Sequence, residues 1–167
     1  NELGNVISYA YDANGQLISM TDAMGGITVY AYDPVGNVIS VTDALGGVVS
    51  YLYDEVGNIS TVTDANGNTT SYAYDALGRA VAITDPNGGI TRAEYDHNGN
   101  VTKATDAEGN VTVYTYDALD RLTSYTNAEG YTFSFQYDNE GNLIASTDGN
   151  GNTTRYIYDG LNRAVSS

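Results

Sequence analysis

The chain has 167 residues, no Cys, no Trp, one His and a formal net charge of −15. Its six Lys and Arg residues are too few to neutralise a phosphate backbone, which excludes general nucleic-acid binding. The lack of Cys excludes a disulfide framework and thiol chemistry, and no apolar run is long enough to span a membrane. This acidic, Cys-free and Thr/Asn-rich composition favours a secreted or cell-surface bacterial protein.

Repetition is the strongest feature of the sequence. A Tyr-Asp pair recurs every 21 residues without insertion or deletion, eight times from Tyr11-Asp12 to Tyr158-Asp159. A second phrase, Thr-Asp-x-x-Gly, lies midway between successive pairs, and Thr126-Asn127 is its one variant. A strict period is the mark of a repeat architecture and argues against disorder. We therefore expect one array of eight repeats over residues 1–167, without a linker.

Each repeat predicts two strands and two turns. In one repeat, residues 69–74 and 79–84 are rich in β-branched and aromatic residues, which favours strands. Asp75 to Gly78 and Asp85 to Gly88 have the Asp and Gly that turns require. The predicted fold class is all-β, with eight tandem β-hairpin repeats forming a continuous curved or spiralling antiparallel sheet.

The Tyr, Asp and Gly of the first phrase are the expected structural residues of each repeat. They are Tyr11, Asp12, Gly15, Tyr32, Asp33, Gly36, Tyr53, Asp54, Gly57, Tyr74, Asp75, Gly78, Tyr95, Asp96, Gly99, Tyr116, Asp117, Tyr137, Asp138, Gly141, Tyr158 and Asp159. Asp120 and Asn162 replace the Gly in two copies, and both residue types tolerate a left-handed backbone. A weaker pattern of Leu and Arg at 77/79, 119/121 and 161/163 recurs every 42 residues.

Alternation along the first strand places two Tyr on one face in most repeats, and Ala93 and Phe135 replace one of the two Tyr in the others. Tyr9 and Tyr11, and then Tyr30 and Tyr32, predict a double ladder of Tyr side chains. The opposite face is small and mildly apolar, and the sequence does not decide which face points inward. Tyr beside Asn, Asp and Thr is also a surface on which a glycan can bind, although sheet packing explains the same ladder.

Nothing in the sequence predicts an enzyme or a cofactor. His97 occupies a variable turn position, and the carboxylates are periodic, whereas acid–base catalysis needs one asymmetric site. The Asp-rich turns resemble calcium loops, but equivalent Asp residues two strands apart stand roughly 10 Å from each other. Calcium needs six to eight oxygens at about 2.3–2.6 Å, so two turns cannot share an ion through these residues alone.

Over its whole length, the chain resembles the YD repeat of the Rhs family. The resemblance lies in Tyr-Asp-x-x-Gly-Arg, as at Tyr74 to Arg79, followed by Thr-Asp-x-x-Gly-Asn, as at Thr105 to Asn110. Bacterial Rhs and wall-associated polymorphic toxins, insecticidal toxin-complex proteins and animal teneurins carry such repeats. The resemblance implies a piece of a hollow shell that, in the bacterial members, encloses a C-terminal toxic domain. The shell-closing Asp-Pro-x-Gly-Leu segment of that family has no counterpart here.

Two functions follow as expectations. The first is a structural wall segment with toxin cargo as its partner. The second is a secreted filament or adhesin built from copies that stack end to end, with glycans as possible ligands. Neither terminal repeat resembles a polar cap, which suits both a fragment of a longer shell and a stacking unit.

Overall fold

A computed structural model of the protein describes residues 6–166. The turn that the sequence places at residues 1–4 lies outside the described residues, as does Ser167. Residues 6–166 form strands and turns only, which confirms the all-β class. Accordingly, this part of the chain contains no helix with the length and apolarity needed to cross a membrane.

The chain divides into two compact units, Asn1–Gly89 and Ile90–Ser167. Strands of the first unit are β1 (Ser8–Tyr11), β2 (Leu17–Thr21), β3 (Ile27–Tyr32), β4 (Val38–Thr42), β5 (Val48–Tyr53), β6 (Ile59–Thr63), β7 (Thr69–Tyr74) and β8 (Ala80–Thr84). Strands of the second are β9 (Ile90–Tyr95), β10 (Val101–Thr105), β11 (Val111–Tyr116), β12 (Leu122–Thr126), β13 (Thr132–Tyr137), β14 (Leu143–Thr147), β15 (Thr153–Arg155), β16 (Ile157–Tyr158) and β17 (Ala164–Ser166).

Within each unit the strands pair with their neighbours in chain order, except that β15 and β16 do not pair, and every pairing is antiparallel. The predicted strand 69–74 coincides with β7, and the predicted strand 79–84 begins one residue later, at Ala80. The turns alternate between the two ends of the strands. The Tyr-Asp rim is the row of turns that begin at the Asp of a Tyr-Asp pair. The Thr-Asp rim is the row of turns that begin at the Asp of a Thr-Asp pair or at Asn127.

A β-bulge beside each Tyr-Asp turn is the feature that the sequence analysis missed. Tyr11 is opposite Leu17 but Ala10 is opposite Ser19, so the bulge places one extra residue, Ile18, in β2. The same shift occurs in every Tyr-Asp hairpin that the structure describes, whereas the Thr-Asp hairpins pair without one.

The bulge keeps the Tyr residues on one face. Tyr9 is opposite Met20, and Met20 is opposite Thr28, so Thr28 and, by alternation, Tyr30 share the face of Tyr9. Without the extra residue, Tyr9 would face Ser19 and then Val29, and Tyr30 would point to the other side. An odd repeat length therefore requires one bulge per repeat.

Burial alternates along β3 and β7 as the double Tyr ladder predicts. In β3, Thr28, Tyr30 and Tyr32 are half-buried while Ile27, Val29 and Ala31 are exposed. The core is thin, because Ala145 is the one buried hydrophobic side chain among the described residues. The Tyr side chains therefore cover one another within a single layer of sheet.

The eighth hairpin departs from the pattern. Its first strand is interrupted at Tyr156, and β16 pairs with β17 as a separate two-stranded sheet. Tyr156 remains attached to the seventh repeat, since its peptide N–H donates to the Ile144 carbonyl at 3.0 Å. Because the strand is interrupted at Tyr156, β15 pairs with β14 through residues 153–155.

Candidate functional site: the Tyr-Asp rim

Both kinds of turn have the same backbone. In the first Tyr-Asp turn the Asp12 N–H donates to the Gln16 carbonyl at 2.9 Å, and the Gly15 N–H donates to the Asp12 carbonyl at 3.1 Å. The Thr-Asp turn at Asp22 repeats this pattern at 2.8 and 3.1 Å. Gly15 and Gly25 have φ of 84° and 88°, which is the left-handed conformation that Gly adopts without strain. Each turn is thus a tight three-residue hairpin loop closed by a left-handed residue.

The Asp carboxylate stabilises each turn by accepting hydrogen bonds from groups of the same turn. Asp54 Oδ1 accepts the N–H groups of Val56 at 3.0 Å and Asn58 at 2.8 Å, and Oδ2 accepts the Asn58 side-chain amide at 2.9 Å. An Arg replaces that Asn at three turns, where its Nε donates to the Asp Oδ2 at 2.7 Å: Arg79, Arg121 and Arg163. A short carboxylate that accepts several donors explains why Asp occupies this position.

These hydrogen bonds favour the ionised carboxylate. The side-chain bond from the Asn four residues on, with the backbone N–H bonds, lowers the pKa of Asp54, Asp64, Asp96, Asp106, Asp138 and Asp148. The Arg side chain lowers the pKa of Asp75 and Asp159 in the same way. At Asp33 and Asp117, partial desolvation opposes the hydrogen bonds but the pKa is still lowered.

The Tyr of each pair joins its repeat to the preceding one. The Tyr32 hydroxyl donates to the Leu17 carbonyl at 2.8 Å. Pairing between β2 and β3 begins only at Ser19 and Val29, so Leu17 lies beyond that ladder, at the bulge. The same bond is made by Tyr53, Tyr74, Tyr116, Tyr137 and Tyr158, at 2.7 to 3.0 Å. The hydroxyl therefore satisfies a carbonyl that the diverging strands cannot pair.

The predicted repeat residues occupy the same positions in successive hairpins. The Tyr residues end the first strand of each hairpin, the Asp residues begin the turns, and every predicted Gly has a positive φ. Tyr11, in the first repeat, is 59% exposed, whereas the Tyr residues at the same position in later repeats are half-buried. The predicted positions thus form a row of equivalent structural sites along the rim.

Asp120 and Asn162 confirm the prediction that non-Gly residues adopt the left-handed conformation, both with φ of 59°. Each also contacts the preceding repeat. Asp120 Oδ1 accepts the side-chain amides of Asn98 and Asn100 at 2.7 Å, and Asn162 Oδ1 accepts that of Asn142 at 3.0 Å. A hydrogen bond between repeats therefore accompanies the loss of Gly.

An aromatic cluster interrupts the repeat pattern in the second unit. The rings of Tyr125 and Phe133 stack with centroids 4.6 Å apart, and Tyr125 also lies 6.2 Å from Tyr114 and from Phe135. The neighbouring Thr-Asp turn has Gly149 where other turns have Ala or Pro, and a Cβ there would lie 2.7 Å from the Cβ of Tyr131. Tyr125, Tyr131, Phe133 and Gly149 depart from their repeat positions together, a signal that column-by-column comparison of the repeats would have found.

The candidate calcium loops do not form a metal site in the described residues. Residues 6–166 contain no group of three or more His, Asp, Glu or Cys residues placed to hold an ion. The carboxylates that the loop motif suggested as ligands are occupied instead by their own turns, as at Asp64 and Asp106. His97 lies in a turn, as predicted.

Comparisons with known proteins agree with this geometry. The RHS repeat family model matches residues 11–48, 53–90, 95–132 and 137–167, so each match begins at the Tyr of a Tyr-Asp pair. A search of curated protein sequences finds no match.

Solved structures share the fold. A crystal structure of TcdB2–TccC3–Cdc42 is 26% identical with a TM-score of 0.74, and the match covers 96% of this chain and 10% of that one. A Photorhabdus luminescens Tc holotoxin pore is 26% identical with a TM-score of 0.72, over 96% of this chain and 10% of that one. The crystal structure of TcdB2–TccC3 is 25% identical with a TM-score of 0.74, with the same coverage. The chain spans about a tenth of the length of the chains it matches.

The family match covers most of the chain, and it follows the bulged Tyr-Asp hairpins that form the sheet. The chain therefore belongs to the RHS repeat family.

Proposed function

We propose that the chain is a non-enzymatic stretch of wall in a larger, secreted bacterial Rhs-repeat protein that encloses a toxin carried on the same polypeptide. The observation that carries the proposal is the single layer of sheet in each unit, held by bonds between consecutive hairpins. Such a sheet extends by adding repeats and needs no second layer. Likeness in fold to components of a Tc holotoxin supports the toxin cargo.

The chemistry of the rim suits a wall better than an active site. Its carboxylates are occupied by turn hydrogen bonds, and its Tyr hydroxyls are donors to backbone carbonyls. The same arrangement recurs along the chain, whereas catalysis needs a local asymmetry.

The test is made on the polypeptide as its source produces it. We expect a denatured mass far above the 17.7 kDa of this chain and a downstream segment that resists limited proteolysis. Tyr-to-Ala changes at the Tyr-Asp rim should loosen the wall and make that segment cleavable, while a change on an exposed strand residue such as Val29→Ala should not. A polypeptide of 17.7 kDa, or a downstream segment cleaved equally with an intact wall, would overturn the proposal.

A second candidate is a filament or adhesin of stacked copies that binds glycans, which the aromatic cluster favours. Tyr131 is 49% exposed and, with Phe133, Asp148 and Asn150, lines a groove of about 390 Å³ beside Gly149. Aromatic rings with neighbouring carboxylate and amide groups suit the apolar face and the hydroxyls of a sugar ring. Loss of glycan-array binding in Tyr131→Ala, with Tyr30→Ala as the control, would support it. Equal binding by both variants would exclude the groove.

A further inference from the structure

One Arg side chain shows what the space between successive Tyr-Asp turns can hold. Arg121 ends one turn, where its Nε donates to Asp117 Oδ2 at 2.7 Å. Its Nη1 reaches across to the next turn and donates to the Asp138 carbonyl at 3.0 Å. The guanidinium carbon lies 4.7 Å from the centre of the Tyr137 ring. A guanidinium thus fills the cleft by stacking on the Tyr ring and bonding to the backbone beside it.

The equivalent cleft in the first unit is open. Four repeats earlier, Asn37 stands at the Arg121 position, and Tyr53 and Asp54 stand where Tyr137 and Asp138 do. The Asn37 amide is short and donates to Asp33 Oδ2 of its own turn at 2.9 Å. A cavity of about 580 Å³ lies between the two turns, lined by Asp33, Asn37, Tyr51, Tyr53, Asp54 and Glu55 among others.

Other clefts of the second unit are closed by their own polar side chains. Asn98 and Asn100 bridge to Asp120, and Asn142 bridges to Asn162. In the first unit Asn37 corresponds to Asn100, and the position that corresponds to Asp120 is Gly57, which has no side chain to complete such a bridge. The space beside Tyr53 therefore has the platform of the filled cleft without its occupant.

The charge around the open cleft is negative. Three carboxylates line it, and Glu55 stands where other repeats have Ala, Pro, His, Asn or Gly. No Lys or Arg occurs before Arg79, so the first three and a half repeats contain no cationic side chain of their own. Burial raises the pKa of the Tyr53 phenol, and the nearby Asp33 carboxylate, which disfavours the phenolate, raises it further.

We propose that the cleft between Asn37 and Tyr53 binds the guanidinium of an arginine on a basic segment of a partner protein. The ring of Tyr53 supplies the stacking surface, the Asp54 carbonyl is the acceptor, and the carboxylates of Asp33 and Glu55 supply complementary charge. The exposed side chains of Val35 and Val56, at 84% and 83%, flank the entrance and suit the apolar stem of an arginine. Lysine fits less well, because its compact ammonium does not stack as a plane.

The test uses the whole chain and a small probe. N-acetyl-arginine amide is titrated against labelled protein, and backbone amide shifts are followed by NMR. We expect saturable shifts at Asn37, Tyr53 and Glu55, with dissociation constants at least about tenfold weaker for N-acetyl-citrulline amide, the neutral isostere. Shifts of equal size at all Asp turns would show diffuse charge binding and overturn the proposal.

Three substitutions distinguish binding in the cleft from general attraction to the acidic surface. Asn37→Arg places the chain's own guanidinium in the cleft and should abolish probe binding, whereas Asn68→Arg, on the Thr-Asp rim, adds the same charge and should leave it within about twofold. Arg121→Asn should open the second cleft and add a binding site at Tyr137. Unchanged binding of N-acetyl-arginine amide to the Asn37→Arg variant would contradict the proposal. Because none of these readouts involves cargo, they leave the wall proposal to its own test.

Discussion

The turns at the two rims have the same backbone hydrogen bonds, but the strand pairing and the side-chain contacts next to the turns differ. At the Thr-Asp rim the strands pair without a bulge up to the turn, and facing Thr hydroxyls bond to each other, as between Thr63 and Thr69 at 3.1 Å. At the Tyr-Asp rim a bulge interrupts the pairing one pair before the turn, and the hydroxyl of a Tyr from the next repeat bonds to the carbonyl beside the bulge. The turns are therefore closed by the same backbone hydrogen bonds at both rims, and at the Tyr-Asp rim a Tyr hydroxyl from the next repeat adds a further bond.

The difference shows where the repeats are joined. A hairpin is local and forms from its own residues, whereas the contact between hairpins decides whether an array is cooperative. At the Tyr-Asp rim that contact includes the Tyr hydroxyl of the next repeat and, in the second unit, polar side chains such as Arg121 and Asp120. Substitutions there should weaken the joints, and matched substitutions at the Thr-Asp rim should weaken only one hairpin.

Acidification should have the largest effect, because it acts on many turns at once. Ten Asp residues have a lowered pKa, of which seven lie on the Tyr-Asp rim: Asp33, Asp54, Asp75, Asp96, Asp117, Asp138 and Asp159. A lowered folded-state pKa gives stability that is present above the ordinary value of 3.8 and lost as the pH falls through the folded values. The melting temperature should therefore fall below about pH 4.

Circular dichroism melts at fixed ionic strength between pH 7 and pH 2.5 measure this loss. Around the isoelectric point of 4.1 the net charge is smallest, so relief of repulsion works against the predicted fall and cannot cause it. A melting temperature that stays constant down to pH 2.5 would contradict the role given to the turn carboxylates.

Removal of one rim Tyr should have the largest effect of any single substitution. Tyr74→Ala deletes a half-buried ring and its bond to the Ile59 carbonyl, and we expect a loss of about 3 kcal/mol in the free energy of unfolding. The matched change at the other rim, Thr63→Ala, removes one hydroxyl pair and should cost about 1 kcal/mol or less. Urea denaturation of both variants measures the difference, and equal losses would remove the distinction between the rims.

Substitution of the left-handed Gly should not distinguish the rims, since the turns are alike. Gly57→Ala and Gly67→Ala both place a Cβ at positive φ, with φ of 92° and 86°, and each should cost about 1–2 kcal/mol. Gly78→Asn should cost less, because Asn tolerates this conformation and a Cβ at Gly78 lies 3.7 Å from Asn58 Oδ1. There the new amide can repeat the bridge seen at Asn162.

Thermal or urea unfolding of the three variants orders these costs. A Gly78→Asn variant as unstable as Gly57→Ala would show that the bridge between repeats does not offset the backbone strain.

Much of the fold could be predicted from the sequence because the determinants are local. Asp75 and Gly78 define a turn within four residues, and alternation places Tyr72 and Tyr74 on one face. The same reasoning did not find the bulge, because a two-residue period was applied to the first strand of each hairpin alone. The odd repeat length of 21 residues requires a bulge if equivalent side chains are to stay on one face, but this follows only when residues are counted along both strands of the hairpin.

The contacts between repeats could not be predicted from the sequence. The hydroxyl of Tyr74 and the carbonyl of Ile59 are 15 residues apart, and the pattern identifies Tyr without showing what the hydroxyl bonds. The 42-residue pattern of Leu and Arg does not show what the Arg contacts, and only the geometry shows Arg121 lying across the cleft to Tyr137 and Asp138. The proposed wall, cargo and curvature remain predictions.

Tyr-to-Phe changes isolate the hydroxyl and should have the smallest effect. Tyr74→Phe keeps the ring but leaves the Ile59 carbonyl without its donor, which should cost about 1 kcal/mol. Tyr72→Phe is the matched control, because within residues 6–166 its hydroxyl makes no hydrogen bond to protein, and it should be nearly neutral. Urea denaturation resolves this gap if both variants keep the wild-type m-value. Equal stability of the two would mean that water replaces the phenol at the bulge, and that the ring alone joins the repeats.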